Sequence, residues 1–280
     1  MNPGPKFVFF GTPRFAKAVF QTFIDNLLIP SLLVCNPDRP TGRKQILTPP
    51  PTKIAAEKYG VEVFQPENLS DAFEKLNRGY DFFAVAAYGK IIPKDILELP
   101  KYGSIGIHPS LLPKYRGTTP IQSVILNGDD TTGVTLFLMD EKIDHGEIIS
   151  RTEVAISKTD TYLSLEEKLA KTGAELFVKT IPEYIDGKMS LTEQMHGSAT
   201  FTKKITGDEA FVRYDDLEAA IYGDTEKTAR VHKIIRALNP EPGAWTLKNG
   251  KRMKLLEGKI TDGKLVLVKI QMEGKMPENV

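Results

Sequence analysis

A single cysteine, Cys35, is present among 280 residues. This excludes an intrachain disulfide and a cysteine-based metal cluster, and it suits a reducing compartment. Its neighbours Leu32, Leu33 and Val34 predict a buried strand thiol rather than a nucleophile. Long apolar runs are missing too, since nothing approaches the roughly 20 residues that a membrane-spanning helix needs. The first residues lead straight into Phe7-Val-Phe-Phe10 without the regions of a signal peptide, so the expected location is the cytoplasm. A formal net charge of +1 gives no global pull toward nucleic acid. A dinucleotide fingerprint is also lacking. Gly11-Thr12-Pro13 places proline where Gly-x-Gly-x-x-Gly needs its second glycine for close pyrophosphate approach, so NAD is not expected.

What is there has the composition of soluble globular domains, 41% apolar and 26% charged, and the length suits two of them. The N-terminal half alternates short β-rich runs with longer amphipathic segments, which predicts an α/β fold with a parallel sheet covered by helices. Strands are expected at Phe7–Phe10, Leu32–Cys35, Val61–Phe64, Phe82–Ala86, Ile105–Ile107 and Val134–Leu138, with helices at Arg14–Asn26, Thr52–Tyr59 and Leu163–Ile185. Between Ser190 and Thr206 the pattern breaks into polar and small residues, Gln194-Met-His-Gly-Ser-Ala-Thr200, which read as a linker. Residues 1–190 are thus one expected domain, 191–205 the linker and 206–280 a second domain. The latter has a helix over Thr225–Leu238 and short strands at Ala244–Leu247, Arg252–Ile260 and Lys264–Gln271, suggesting a small OB-like β-barrel.

Charge is unevenly distributed. From Lys227 to Lys259 nine basic residues stand against Glu241 and Glu257, a local excess suited to phosphates. A second basic segment, Asn36-Pro-Asp-Arg-Pro-Thr-Gly-Arg-Lys44, precedes the proline-rich Thr48-Pro-Pro-Pro-Thr52. A loop of this length without regular structure is usually functional or disordered. Arg39, Arg43 and Lys44 within it suit a phosphate backbone.

The most informative stretch runs from Ser104 to Gly146. It contains Ile105-Gly106-Ile107-His108, then Ser110-Leu-Leu-Pro-Lys-Tyr-Arg-Gly117, Met139-Asp140 and Asp144-His145-Gly146. This order of histidine, rigid loop, strand and aspartate resembles the folate-dependent formyltransferase family. Further resemblance lies in Ala86-Ala-Tyr-Gly-Lys-Ile-Ile-Pro93 and in Ile234-Ile-Arg-Ala-Leu-Asn-Pro-Glu-Pro-Gly-Ala-Trp245, so it covers nearly the whole chain, ending somewhat short. The basic 36–52 loop is similar to that of the tRNA-modifying members.

The resemblance implies a doubly wound Rossmann-like catalytic domain and a smaller tRNA-binding-like domain. The formyl donor implied is 10-formyltetrahydrofolate, and the acceptor is the α-amino group of methionine on initiator tRNA. No metal is implied, and a monomer is expected. Formyl transfer needs a group to take a proton from the amine, a donor for the tetrahedral oxyanion and a group to protonate the leaving nitrogen. The family pattern gives two of these roles to His108 and Asp144. The folate pocket is implied at Ser110, Leu111, Leu112, Pro113, Ala87, Tyr88, Gly89, Ile91 and Asp140. Phosphate contacts are implied at Arg39, Arg43, Lys44, Lys204, Arg236, Lys251 and Arg252.

One position departs from the pattern. The family carries asparagine two residues before the histidine, and here that residue is Gly106, which has no side chain to hold the oxyanion. Losing one such donor costs about 10²–10³ in turnover unless another group substitutes. Three other readings share parts of the sequence. A sugar-nucleotide N-formyltransferase would need neither the basic loop nor a basic second domain. In a formyltetrahydrofolate hydrolase, water replaces the amine. A low-activity folate- or tRNA-binding relative would follow from Gly106 alone.

Overall fold

The computed structural model describes residues 4–42 and 44–280. In chain order the strands are β1 (Phe7–Phe10), β2 (Leu32–Val34), β3 (Arg39–Thr41), β4 (Ile46–Thr48), β5 (Val63–Phe64), β6 (Phe82–Val85), β7 (Ser104–His108), β8 (Arg116–Gly117), β9 (Thr131–Leu138), β10 (Ile148–Ala155), β11 (Phe201–Thr202), β12 (Trp245–Lys248), β13 (Lys251–Thr261), β14 (Lys264–Met272) and β15 (Glu278–Asn279). The α-helices are α1 (Arg14–Asp25), α2 (Pro51–Lys58), α3 (Phe73–Leu76), α4 (Lys94–Leu97), α5 (Pro120–Asn127), α6 (Tyr162–Ile185), α7 (Tyr214–Tyr222) and α8 (Thr225–Leu238). The chain divides into two compact units that interleave in sequence. The first comprises Met1–Arg116, Gly133–Val154 and Glu167–Thr200, and the second Gly117–Thr132, Ala155–Glu166 and Phe201–Val280.

The first unit is built on a seven-stranded sheet of order β10-β9-β7-β6-β1-β2-β5. Strands β7, β6, β1, β2 and β5 run parallel, and β9 lies antiparallel to β7. All residues of β1, β2, β6 and β7 are buried. A central parallel strand is covered on both faces, so continuous apolar runs such as Phe7–Phe10 form strands there without alternation. Eight phenylalanines, Phe7, Phe9, Phe10, Phe20, Phe23, Phe82, Phe83 and Phe177, are fully enclosed. Phe7 stacks on Phe82 at 4.8 Å, and Phe23 of α1 meets Phe177 of α6 at 4.9 Å. Each such ring contributes roughly 1.5–3 kcal/mol by burial.

Strand order reverses between β1 and β6, since β2 and β5 extend one way and β7 the other. In open α/β sheets the crevice at such a switch point, beyond the strand C-termini, is where ligands bind. Gly11 leaves β1 there, packed so closely that a Cβ would lie 2.6 Å from Ala16 Cβ and 2.8 Å from the Ala86 carbonyl oxygen. The segment expected to lack regular structure instead folds back as the antiparallel hairpin β3–β4, in register Arg39 to Thr48. Its proline and charges concealed a pairing made by the backbone and by a hydrogen bond between the Thr41 and Thr48 hydroxyls.

In the second unit, β12, β13, β14 and β15 form an antiparallel sheet in that order, a C-terminal antiparallel β domain where the short strands suggested a small OB-like β-barrel. Helix α8 is capped by Asp224, whose carboxylate accepts from the Lys227 N–H, and buries Val231, Ile234, Ile235 and Leu238. Among the described residues no helix is long and apolar enough to cross a membrane.

Candidate active site

Because every residue of β7 is buried, its last residue, His108, is carried from the core to the edge where β1, β2 and β6 also end. The ring is 7% exposed, and Nε2 lies 2.9 Å from the Tyr115 carbonyl oxygen. A carbonyl only accepts, so Nε2 carries the proton and Nδ1 presents a lone pair. Nδ1 faces Asp144, with Oδ2 at 3.6 Å. That spacing is too long for a direct hydrogen bond and short enough for an ion pair once Nδ1 is protonated. The structure thus brings together two residues 36 positions apart in the chain.

The signature loop is tied down by its own polar groups. Ser110 Oγ donates to the Lys114 carbonyl at 2.6 Å, and Thr135 Oγ1 both donates to the Ser110 carbonyl at 2.7 Å and accepts from the Leu112 N–H at 3.1 Å. Leu112 is fully buried against Phe137 and Ile148, and the Leu112–Pro113 peptide is cis. Leu111 closes over Gly133, where a Cβ would come within 2.9 Å of Leu111 Cγ. Tyr115 adopts φ 59, which turns its carbonyl onto His108.

Gly106 sits in β7 between Val85 of β6 and Phe137 of β9. A Cβ there would lie 2.6 Å from Phe137 Cζ and nearer still to Cε1. The phenylalanine ring therefore occupies the space a side chain at position 106 would enter.

Sequence reasoning missed the groups behind Asp144. Arg116 is 3% exposed, and its Nη2 and Nε donate to Gln194 Oε1 at 2.6 and 3.2 Å. Burial pushes its guanidinium down, opposed by the charges of Asp144 and Asp140. Gln194 Nε2 in turn donates to the carbonyls of Asp144 at 3.0 Å and Gly146 at 2.7 Å. Beside it, His145 and His196 stack with centroids 4.0 Å apart, and Nδ1 of His145 lies 2.6 Å from Asp140 Oδ2. Arg116 lay inside the signature motif, whereas Gln194 and His196 lay in a stretch whose composition suggests a linker.

At the β6 exit, Ala87 and Gly89 take φ 48 and 81. Ile91 is 87% exposed and Ala87 is exposed, while Ile92 and Tyr88 are buried, so Ile91 is the large apolar side chain of this segment that faces solvent. The Tyr88 carbonyl accepts from Asn36 Nδ2 at 3.2 Å, which leaves Asn36 Oδ1 buried without a partner. An exposed aliphatic side chain beside strand-end backbone groups at a switch point fits a flat heteroaromatic ring.

The basic residues fall into three groups. Arg39, Lys44, Lys204, Lys251 and Arg252 are exposed, and the Arg252 guanidinium lies 4.2 Å from the Trp245 ring centroid. Arg43 lies outside the described residues. Arg236 is a correction. It is 9% exposed and donates from Nη1 to the Asp160 carbonyl at 2.6 Å, with burial pushing its guanidinium down, so it holds the second unit together and meets no phosphate. Lys227 and Arg230 are also engaged, both by Asp216.

Comparison with known proteins places this geometry among relatives. Residues 5–181 match the family described as formyl transferase, and residues 224–266 match its C-terminal domain. The methionyl-tRNA formyltransferase of Halalkalibacterium halodurans is 41% identical over 254 residues, 89% of this chain and 77% of its own length. That of Bacillus subtilis is 39% identical over 257 residues, covering 91% and 78%. Among solved structures, a methionyl-tRNA formyltransferase from Clostridium thermocellum shares the fold with TM-score 0.63 at 18% identity, covering 96% of this chain and 98% of that one. A 4-N formyltransferase from Francisella tularensis does so with TM-score 0.66 at 20% identity, covering 90% and 97%.

Proposed function

The chain belongs to the formyl transferase family, and from that premise we propose that it formylates the α-amino group of methionyl initiator tRNA in the cytoplasm. The observation that carries this reading is the similarity to methionyl-tRNA formyltransferases, 37–41% identity over about nine tenths of the chain. A sugar 3N-formyl transferase and an N-formyltransferase from Helicobacter canadensis in complex with dTDP-3-aminofucose share the fold at 22% identity. Their acceptor is also disfavoured by the exposed basic residues on β3 and β13, which suit a polyanion.

10-Formyltetrahydrofolate supplies the formyl group. Its pterin is taken by the β6 exit and the signature loop, with Ala87, Tyr88, Gly89, Ile91, Ser110, Leu111, Leu112, Pro113 and Asp140 as the lining. His108 Nδ1, whose lone pair the Tyr115 carbonyl selects, takes the proton that the neutral α-amine sheds as its nitrogen bonds to the formyl carbon. The imidazolium so formed is balanced by Asp144 at 3.6 Å. Its Nδ1–H then faces the reacting centre, so it steadies the oxyanion and returns the proton to the departing nitrogen. With Phe137 filling the place of any side chain at Gly106, this double use of His108 is how the missing amide is compensated. Residues 1–190 carry these groups, and 206–280 present Lys251 and Arg252 to tRNA, with Lys204 adding a further cation.

The test is transfer of radiolabelled formyl from 10-formyltetrahydrofolate, offering the purified protein methionyl-tRNA, an amino-sugar nucleotide or buffer alone. Label on methionyl-tRNA is expected. Label on the sugar, or formate release in buffer, would replace the reading by a sugar transferase or a hydrolase.

A further inference from the structure

We infer that Gln194 is a positioning residue for the transfer reaction, its side-chain amide holding the Asp144 turn in the shape that sets the carboxylate against His108. This rests on the roles proposed above for His108 and Asp144. Asp144 adopts φ 46, a left-handed conformation that a residue with a side chain holds only when its surroundings impose it, at a cost of order 1–3 kcal/mol. Two residues on, Gly146 is pressed so closely on the Leu138 carbonyl that a Cβ would collide with it. The turn between β9 and β10 is therefore constrained, and the side chain that grips it from outside is Gln194.

Chemistry alone fixes the orientation of the amide. Arg116 has only donors, so Oε1 must face it; backbone carbonyls only accept, so Nε2 must face Asp144 and Gly146. The contacts agree on both sides, with Oε1 2.6 Å from Arg116 Nη2 and Nε2 3.0 and 2.7 Å from the two carbonyls. Both N–H groups and the carbonyl oxygen are used in a site where Gln194 is 3% exposed. The segment carrying it is itself anchored. Thr192 and Ile148 exchange backbone hydrogen bonds at 2.8 and 2.9 Å, and Thr200 donates to the Pro113 carbonyl at 3.3 Å while its Oγ1 accepts from the Tyr115 N–H at 2.8 Å. Residues 192–200 thus touch both the loop that orients His108 and the turn that carries Asp144, and Gln194 is the side chain that joins them through Arg116.

Gln194→Glu separates positioning from packing. It keeps the shape and the Arg116 pair but sets a carboxylate oxygen against two carbonyls. Gln194→Met removes the donors without adding charge, and it covers the case in which the glutamate variant fails to fold. The expected result for either is a fall in kcat of about 10–100-fold, as for a small misplacement of a reacting group, with KM for folate and for tRNA within threefold of the parent. In an Asp144→Asn background the same substitutions should lower kcat no further, because residues acting as one unit are non-additive. The inference is overturned if both Gln194 variants retain kcat within threefold of the parent, or if their losses multiply in full with that of Asp144→Asn. Should Asp144→Asn alone transfer at the parental rate, the assignment of the catalytic pair has failed instead, and the positioning role falls with it.

Discussion

Phe137 stands over Gly106, its ring filling the volume that a side chain at 106 would need. The two residues are register partners across β7 and β9, so neither can change size independently. Gly106→Asn is therefore expected to be an overpacking substitution, costing about 1–3 kcal/mol of stability and lowering transfer, rather than a restoration of the family asparagine. Combining it with Phe137→Ala should recover part of the loss. Denaturant melts of the two single variants and the double variant decide the matter. A single Gly106→Asn protein as stable as the parent would refute the pairing.

His108→Ala and Asp144→Asn should each reduce transfer by about 10²–10⁴, the usual contribution of a positioned acid or base. Neither should change the circular dichroism spectrum. Steady-state formylation of methionyl-tRNA by each variant is the measurement, and wild-type turnover in either would remove that residue from the mechanism.

Arg252 and Arg236 should behave oppositely despite lying in the same basic stretch. Arg252→Ala removes an exposed cation stacked on Trp245 and is expected to reduce the slope of log K for tRNA against log salt by about 1. Arg236→Ala deletes a buried charged donor to the Asp160 carbonyl and should instead cost about 1.5–3 kcal/mol of stability. Filter binding across a salt series, paired with thermal melts, distinguishes them.

Burial raises the Cys35 thiol to about 11, against about 8.5 for an exposed cysteine. The folded state therefore disfavours the thiolate. Alkylation at pH 8 should be slow in the native protein and fast after denaturation. The linked stability is fully present below about pH 8.5 and declines as pH rises toward 11, because only the unfolded chain ionises in that window. A Cys35→Ala protein should lose less stability over the same range, as alkaline denaturant titrations would show.

The parallel core was readable from the chain because Phe7–Phe10, Leu32–Val34 and Phe82–Val85 are short and wholly apolar, a pattern a doubly covered sheet demands. His108 and Asp144 were readable because a distinctive loop stands between them. Phe137 was not, since its relation to Gly106 depends on cross-strand register, which no local pattern states. Gln194 was hidden for the opposite reason: a polar segment that hydrogen-bonds to loops and one that crosses solvent have the same composition. Arg236 carried a signal that went unused. Ile234, Ile235, Ala237 and Leu238 surround it, and a cation enclosed by aliphatic neighbours faces inward with them.

The β3–β4 hairpin is soft material on a firm mount. At its base Asp38 is gripped by Lys53 and Gln65, yet from Arg39 to Thr48 every described side chain lies in solvent. A two-stranded ribbon without a core beneath it is only marginally self-supporting. Its charges can thus follow the contour of an RNA at little energetic cost, but such compliance cannot reject a wrong contour. If the hairpin meets tRNA as proposed above, its compliance suits capture of a polyanion rather than a fixed fit to one surface.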